Sequence, residues 1–178
     1  MKLSRPVLKF LFIITIAYGC WFIVYEFYLK PDGSVDHMTT EYVSIGICRL
    51  LHLNGYEAHY TIALKPGETY IYLNHELLPQ VRIGSSCNGL ELLVLFALFI
   101  LCYPGNFFFK ILYMSGGIIV VHTLNILRNY WLTLLSFHHS VYFNFYHRYL
   151  FIFIIYGLIF ILWILWANYF SFLKPGSR

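Results

Sequence analysis

The sequence predicts an α-helical integral membrane protein, a single membrane domain over residues 1–178 with about four transmembrane helices and a small extracytoplasmic insert containing a helix and a β-hairpin. Three observations predict it. Hydrophobic residues make up 60% of the 178 and charged residues only 11%, where an ordinary soluble domain carries roughly 25% charged. Apolar runs recur at lengths near the roughly 20 residues that a helix needs to cross the hydrocarbon core. Between the first two runs lies Lys30 to Ser86, a stretch with acids, prolines and strand-like alternation.

The first span is read over 7–29, behind the basic residues Lys2, Arg5 and Lys9. A signal anchor and a cleavable signal peptide both begin this way. Ala17-Tyr18-Gly19-Cys20 has the outline of a lipoprotein cleavage box. Bulky Tyr18 fits it badly, and Trp21-Phe22-Ile23-Val24 continues the apolar run, so an uncleaved helix is expected. In the insert, read over 30–86, Thr39-Thr40-Glu41 opens a polar start to the helical spacing of Val43, Ile47, Leu50 and Leu51. That helix is expected to end at Asn54-Gly55. His59 to Leu64 and Thr69 to Leu73, joined by Lys65-Pro66-Gly67-Glu68, read as a hairpin, and Gln80 to Ile83 adds a candidate third strand.

The second span is read over 87–103. Its apolar part, Leu90 to Tyr103, is short, so Cys87 to Gly89 are expected to start the helix near the interface. Pro104-Gly105-Asn106 forms a turn, the third span runs over 107–128, an outer loop over 129–147, and the fourth span over 148–170. Trp163, Trp166 and Tyr169 make an aromatic belt before a cytoplasmic tail over 171–178. With the N-terminus inside, the cytoplasmic side holds Lys2, Arg5, Lys9, Lys110, Lys174 and Arg178, while every acid from Glu26 to Glu91 falls outside or at the outer interface. This positive-inside pattern places both termini in the cytoplasm.

The net charge of +4 does not point to nucleic acid, because no basic residues cluster or interleave with aromatics along a polar face. The lipid bilayer is the expected partner. Cys20, Cys48, Cys87 and Cys102 lack zinc spacing, and the histidines carry no spacing that argues for a metal. No metal and no cofactor is expected.

Three positions carry candidate chemistry. Cys87 lies where the insert meets a helix, and Asn88 with Glu91 has capping-box spacing. A helix N-terminus favours a thiolate, so Cys87 is the cysteine whose position predicts reactivity. The alternatives are a small buried residue or a Cys48 to Cys87 disulfide. Arg128 closes the third span, where a cation usually points at a partner or a cavity rather than only snorkelling to the interface. His122, Asn125 and Asn129 form a polar stripe beside it at helical spacing. His147 opens the last helix, where the dipole and Arg148 favour a neutral imidazole fit to act as a base. By topology Cys87, Arg128 and His147 lie at the outer ends of three different spans. A nucleophile, a fixed cation and a general base are the parts of thiol acyl transfer.

Ser86-Cys87-Asn88-Gly89-Leu90-Glu91, then Asn125-Ile126-Leu127-Arg128, then His147, resembles the exosortase/archaeosortase family of membrane cysteine transpeptidases. His147-Arg148-Tyr149-Leu150-Phe151, Tyr156, Ile159-Phe160 and Trp163 to Trp166 resemble the short exosortase F subfamily of Bacteroidetes. The resemblance implies a multi-pass protein of the bacterial inner membrane with its active site on the periplasmic face. It implies a cysteine protease and transpeptidase whose substrates are exported proteins ending in a short motif, a transmembrane helix and a basic cluster, and whose acceptor is unknown. Cys87, Arg128 and His147 are then the catalytic residues, His139 the alternative base, and Asn125 and Asn88 supporting residues. The chain departs from the common family pattern in having Asn88 where many members carry Ser, and in being shorter. The competing readings are a non-catalytic membrane assembly or partner subunit, and haem or metal binding through His122, His138, His139 and His147.

Overall fold

The structure, a computed structural model, describes residues 5–171. Lys2, Lys174 and Arg178, on which the orientation argument partly rests, lie outside the described residues, as does nearly all of the expected tail. The chain is mostly helical, 72%, with one three-stranded sheet. Among the described residues three helices are long and apolar enough to cross a membrane: α1 (Arg5–Asp32), α4 (Phe107–Phe137) and α5 (Phe143–Phe170). Helix α3 (Leu90–Cys102) is apolar but shorter, and its 13 residues rise only about 20 Å.

Helix α1 continues three residues past the expected span, through a π-helical turn at Tyr25–Leu29. It stops at Gly33, whose φ of 71° breaks the winding. The corner packs on the Pro66 side chain so closely that a Cβ at Gly33 would lie 2.8 Å from the Pro66 Cβ. Only glycine meets both demands. Helix α2 (Ser34–Leu53) follows at once, five residues earlier than its polar start predicts. Its buried residues, Asp36, Thr40, Val43, Ser44, Ile47, Cys48 and Leu51, fall on one face at helical spacing.

That face lies on the sheet. Strands β1 (Ala58–Ile62), β2 (Thr69–Leu73) and β3 (Val81–Ile83) pair antiparallel in the order β1-β2-β3. The expected hairpin and third strand are both present, in the register Ala58 opposite Leu73 and Ile71 opposite Val81. Alternation sends Thr69, Ile71 and Leu73 inward. Ile71, Leu73 and Ile83 form one core with Val43, Ile47 and Leu51 of α2 and Tyr130 of α4. A second core, Leu92, Phe96, Ile100, Val121, Ile155, Ile159 and Trp166, ties α3, α4 and α5 together. Elsewhere helices α1, α4 and α5 expose large apolar residues, including Phe12, Phe27, Phe107, Phe153 and Phe160, a surface compatible with a lipid environment.

The expected outer loop over 129–147 is largely helix. Helix α4 runs without a break to Phe137 and α5 begins at Phe143, which leaves only residues 138–142 between them. The reason is packing. Tyr130, Leu132 and Thr133 are buried, Ser136 Oγ donates to the Gln80 carbonyl at 2.7 Å, and Phe137 meets Tyr56 edge to face. A helix of 31 residues is about 46 Å long, well beyond a hydrocarbon core of roughly 30 Å. Its last turns serve as a wall of the insert.

Candidate functional site

Both cores end at the turn that carries Cys87. The Cys87 and Asn88 N–H groups donate to the Gly84 carbonyl at 2.8 and 2.9 Å. Gly89 then takes φ 81° and presses on α4, where a Cβ would lie 2.8 Å from Asn125 Nδ2. Helix α3 starts only at Leu90, capped by Gly89. Cys87 therefore precedes the helix by three residues, which corrects its expected place inside the second span. The expected capping box is replaced by a tighter bond: Asn88 Oδ1 accepts from the Leu90 N–H at 2.9 Å, while Glu91 is exposed.

The Cys87 carbonyl is held by two amides of α4, Asn125 Nδ2 at 3.0 Å and Asn129 Nδ2 at 3.1 Å. Asn129 Nδ2 also donates to the Asn125 carbonyl at 2.9 Å. The thiol itself is buried in the insert core beside Cys48, Ile47 and Tyr130. Its polar neighbour is Ser86 Oγ at 3.7 Å, and among the described residues no hydrogen bond joins it to Arg128 or His147. No disulfide joins Cys48 and Cys87; all four cysteines are free thiols. Burial pushes the Cys48 thiol up to about 11.

Arg128 sits one residue before Asn129 and faces away from the insert core. It is only 8% exposed. Among the described residues no ion pair reaches it, and its Nε has no hydrogen-bond partner. An uncompensated buried cation is costly. The guanidinium lies at the junction of two clefts: one of about 130 Å³ bordered by Ser85, Ser86, Gly89, Glu91 and Tyr156, and one of about 170 Å³ bordered by Trp131 and Phe151. The Cys87 turn thus contributes both of its preceding serines to the Arg128 cleft, while Cys87 is not among the residues bordering it and belongs to the insert core.

His147 lies in a π-helical turn, Tyr146–Leu150, four residues into α5 rather than at its start. It is half-buried, its ring parallel to Phe143 at 5.9 Å, and it is within electrostatic reach of Arg128. His139 is exposed in the turn between α4 and α5, in the left-handed region at φ 48°. Of the two candidate bases, His147 is the half-buried one and His139 the exposed one. Among the described residues no group of three or more His, Cys, Asp or Glu is placed to hold a metal.

One feature of the site escaped the sequence reading. Asn88 Nδ2 donates to Asp36 Oδ1 at 2.8 Å and lies 3.1 Å from Thr39 Oγ1, while the other Asp36 oxygen accepts from the Tyr25 hydroxyl at 2.8 Å. Asp36 is 3% exposed and Asn88 fully buried. The signal was present: an acid one turn before Thr40 on the apolar face of α2 is out of place there unless it has partners.

No protein-family model, curated protein or solved structure matches the chain.

Proposed function

We propose that the chain is a membrane thiol transpeptidase of the exosortase type, which cleaves the C-terminal sorting tail of exported proteins and passes the acyl group to an acceptor. In this reading it is a multi-pass protein of the bacterial inner membrane with both termini cytoplasmic and the insert on the periplasmic face. The observation that carries it is Arg128: a buried, unpaired guanidinium in a cleft bordered by the Cys87 turn, with His147 in electrostatic reach. Such a cation is placed to hold a developing oxyanion.

The chemistry balances on the protein's own groups. His147 accepts the Cys87 proton, and the thiolate adds to the substrate carbonyl. The tetrahedral oxyanion is held by Arg128. Collapse breaks the C–N bond, the leaving amine takes the proton from His147, and a thioester remains for an acceptor nucleophile to attack. For the attack the thiol must turn from the insert core past Ser86 into the cleft. That requirement is also what favours the second reading, a non-catalytic subunit in which Cys87 is packing and Arg128 pairs with another chain.

Accumulation of uncleaved tail-bearing substrate in cells separates the two. Cys87→Ala and Cys87→Ser are expected to abolish processing while the protein still inserts, because a hydroxyl is far less acidic than a thiol. His147→Ala should leave a thiol that alkylates without turning over. Full processing by Cys87→Ala ends the enzyme reading; failure of His139→Ala with normal His147→Ala moves the base to His139. A membrane-impermeant thiol reagent that never labels Cys87 in intact cells supports the non-catalytic reading.

A further inference from the structure

We infer that Asp36 is a positioning residue for the Cys87 turn, acting through the Asn88 amide, in a strut that joins helix α1, helix α2 and the turn before helix α3. The inference rests on the thiol-enzyme reading for its bearing on activity, but its geometry is independent of it.

The two carboxyl oxygens of Asp36 accept from two donors on different elements, Tyr25 of the π-helical turn in α1 and Asn88 beside the cysteine, each at 2.8 Å. A carboxylate has no donor of its own, so it decides which way the Asn88 amide faces. With Nδ2 drawn to Asp36, Oδ1 is left to take the Leu90 N–H that opens α3. If the amide turned over, a carbonyl oxygen would confront the carboxylate and an NH2 would confront the Leu90 N–H. Asp36 therefore selects one orientation, and that orientation sets where the peptide after Cys87 enters the helix.

From the opposite side Asn125 and Asn129 hold the Cys87 carbonyl. The cysteine's backbone is thus fixed by α4 on one flank and by Asp36, through the next side chain, on the other. Asp36 has little room to do otherwise: its Cβ lies 2.8 Å from where a Cβ would stand at Gly67. Burying a carboxylate without a cation beside it is expensive, and a hydrophobic side chain would fill the same space. What the carboxylate adds is a directed acceptor for two donors.

The test uses the full chain in detergent, with Cys20, Cys48 and Cys102 replaced by Ala, and follows iodoacetamide labelling of Cys87 well below the melting temperature. Asp36→Asn keeps one acceptor oxygen for Asn88 and forces the Tyr25 hydroxyl to turn from donor to acceptor, and both contacts then join neutral groups and weaken relative to bonds to a carboxylate. Labelling of the folded protein is expected to rise about fivefold or more as the turn loosens. The reciprocal exchange, Asp36→Asn with Asn88→Asp, again gives one carboxylate and one amide, and is expected to return labelling to within about twofold of the parent. Tyr25→Phe leaves the Asn88 bond in place and should give a smaller rise; it also carries the test if Asp36→Asn does not fold. Unchanged labelling in both Asp36→Asn and Tyr25→Phe, or no recovery in the exchange, overturns the proposal.

On a tail-bearing substrate, loss of positioning should lower kcat with KM nearly unchanged, whereas a purely structural loss lowers the amount of folded enzyme and leaves kcat per folded molecule alone. If Cys87→Ala processes as well as the parent, the enzyme reading fails, and labelling alone judges Asp36.

Discussion

The two halves of helix α4 are one continuous rod with different chemistry on their buried faces. In the first half Gly117 and Val121 are buried against Phe96 and the apolar core of α3 and α5. The tip of the Phe96 ring comes so close to Gly117 that a Cβ there would stand 2.1 Å from its Cζ. In the second half the buried residues are Asn125, Arg128, Asn129, Tyr130, Leu132 and Thr133; Asn125 and Asn129 hold the Cys87 turn, Tyr130 joins the insert core, and Arg128 borders the cleft beside that turn. The first half meets its neighbours mainly by shape, with two bonds to their backbone, Tyr113 Oη to the Leu162 carbonyl at 2.8 Å and Lys110 Nζ to the Leu101 carbonyl at 2.6 Å. The second recognises them by donors and acceptors, and it is the half that builds the site. A helix in lipid gains little from burying hydrocarbon, because the tails are as apolar as its partners, while the insert core excludes water in the ordinary way.

The sharpest break in that comparison comes from matched isoleucines. Ile71 in the insert core and Ile159 in the helical core are both essentially unexposed. Ile71→Ala is expected to cost about 2–5 kcal/mol; Ile159→Ala should cost less than about half of that, since only packing is lost against lipid. Reversible unfolding in micelles measures both. Equal losses would mean that the two cores face the same solvent in the unfolded chain, against the membrane reading.

Next in size are the two amides on the Cys87 carbonyl. Replacing Asn125 and Asn129 together by Leu leaves a buried carbonyl without a donor, at about 1–3 kcal/mol. Each alone should cost less, because the other still donates, so the pair is expected to be more than additive in the same unfolding measurement. Additive losses would show that the carbonyl is not shared.

Arg128 should behave in the opposite sense. Removing an unpaired buried cation by Arg128→Met relieves its desolvation, so the melting temperature is expected to hold or rise, by the equivalent of about 1 kcal/mol, while substrate processing is lost. Arg128→Lys keeps the charge but loses the planar fork and should also process poorly. A clear loss of stability in Arg128→Met would reveal a partner for the guanidinium and weaken its role as a free cation.

The smallest effect concerns the two buried thiols of the insert. With its thiol pushed up to about 11 by burial, Cys48 should alkylate very slowly at neutral pH, and its rate should climb about tenfold per pH unit toward that value. In a chain with Cys20, Cys87 and Cys102 replaced by Ala, a rate that levels off near neutral pH would contradict the burial that raises it.

Most of the architecture is legible from composition and periodicity. The apolar runs, the hairpin with its Lys65-Pro66-Gly67-Glu68 turn, and the third strand stand where the pattern places them. The end of α4 is not, because a hydropathy reading stops at the first charge and polar pair, Arg128-Asn129, although Tyr130 to Phe137 continue the helix along the insert core. At the site, Arg128 announces itself by being a cation at the end of an apolar run. The direction of the Cys87 thiol does not, since it depends on a left-handed Gly89 and a turn closed on Gly84. Asp36 is hidden because its partner Asn88 lies 52 residues away, beyond any local pattern.

The π-helical turns at Tyr25–Leu29, Tyr146–Leu150 and Trp166–Phe170 have a consequence for how this chain tolerates change in length. Each winds one residue more than an α-turn would. Each also carries one placed side chain, with Tyr25 bonded to Asp36, His147 stacked on Phe143 within electrostatic reach of Arg128, and Trp166 fully buried near the Gly105 to Ser171 bridge. Deleting one residue within such a turn converts it to ordinary winding and swings everything on one side of it by about 100° relative to the other. In α5 the downstream contacts of Ile155 and Ile159 would hold that side in place, so the rotation would fall on His147 and the segment before it. A single-codon loss there would leave an apolar helix of nearly the same length, seated in the same core, with its histidine turned away from the arginine.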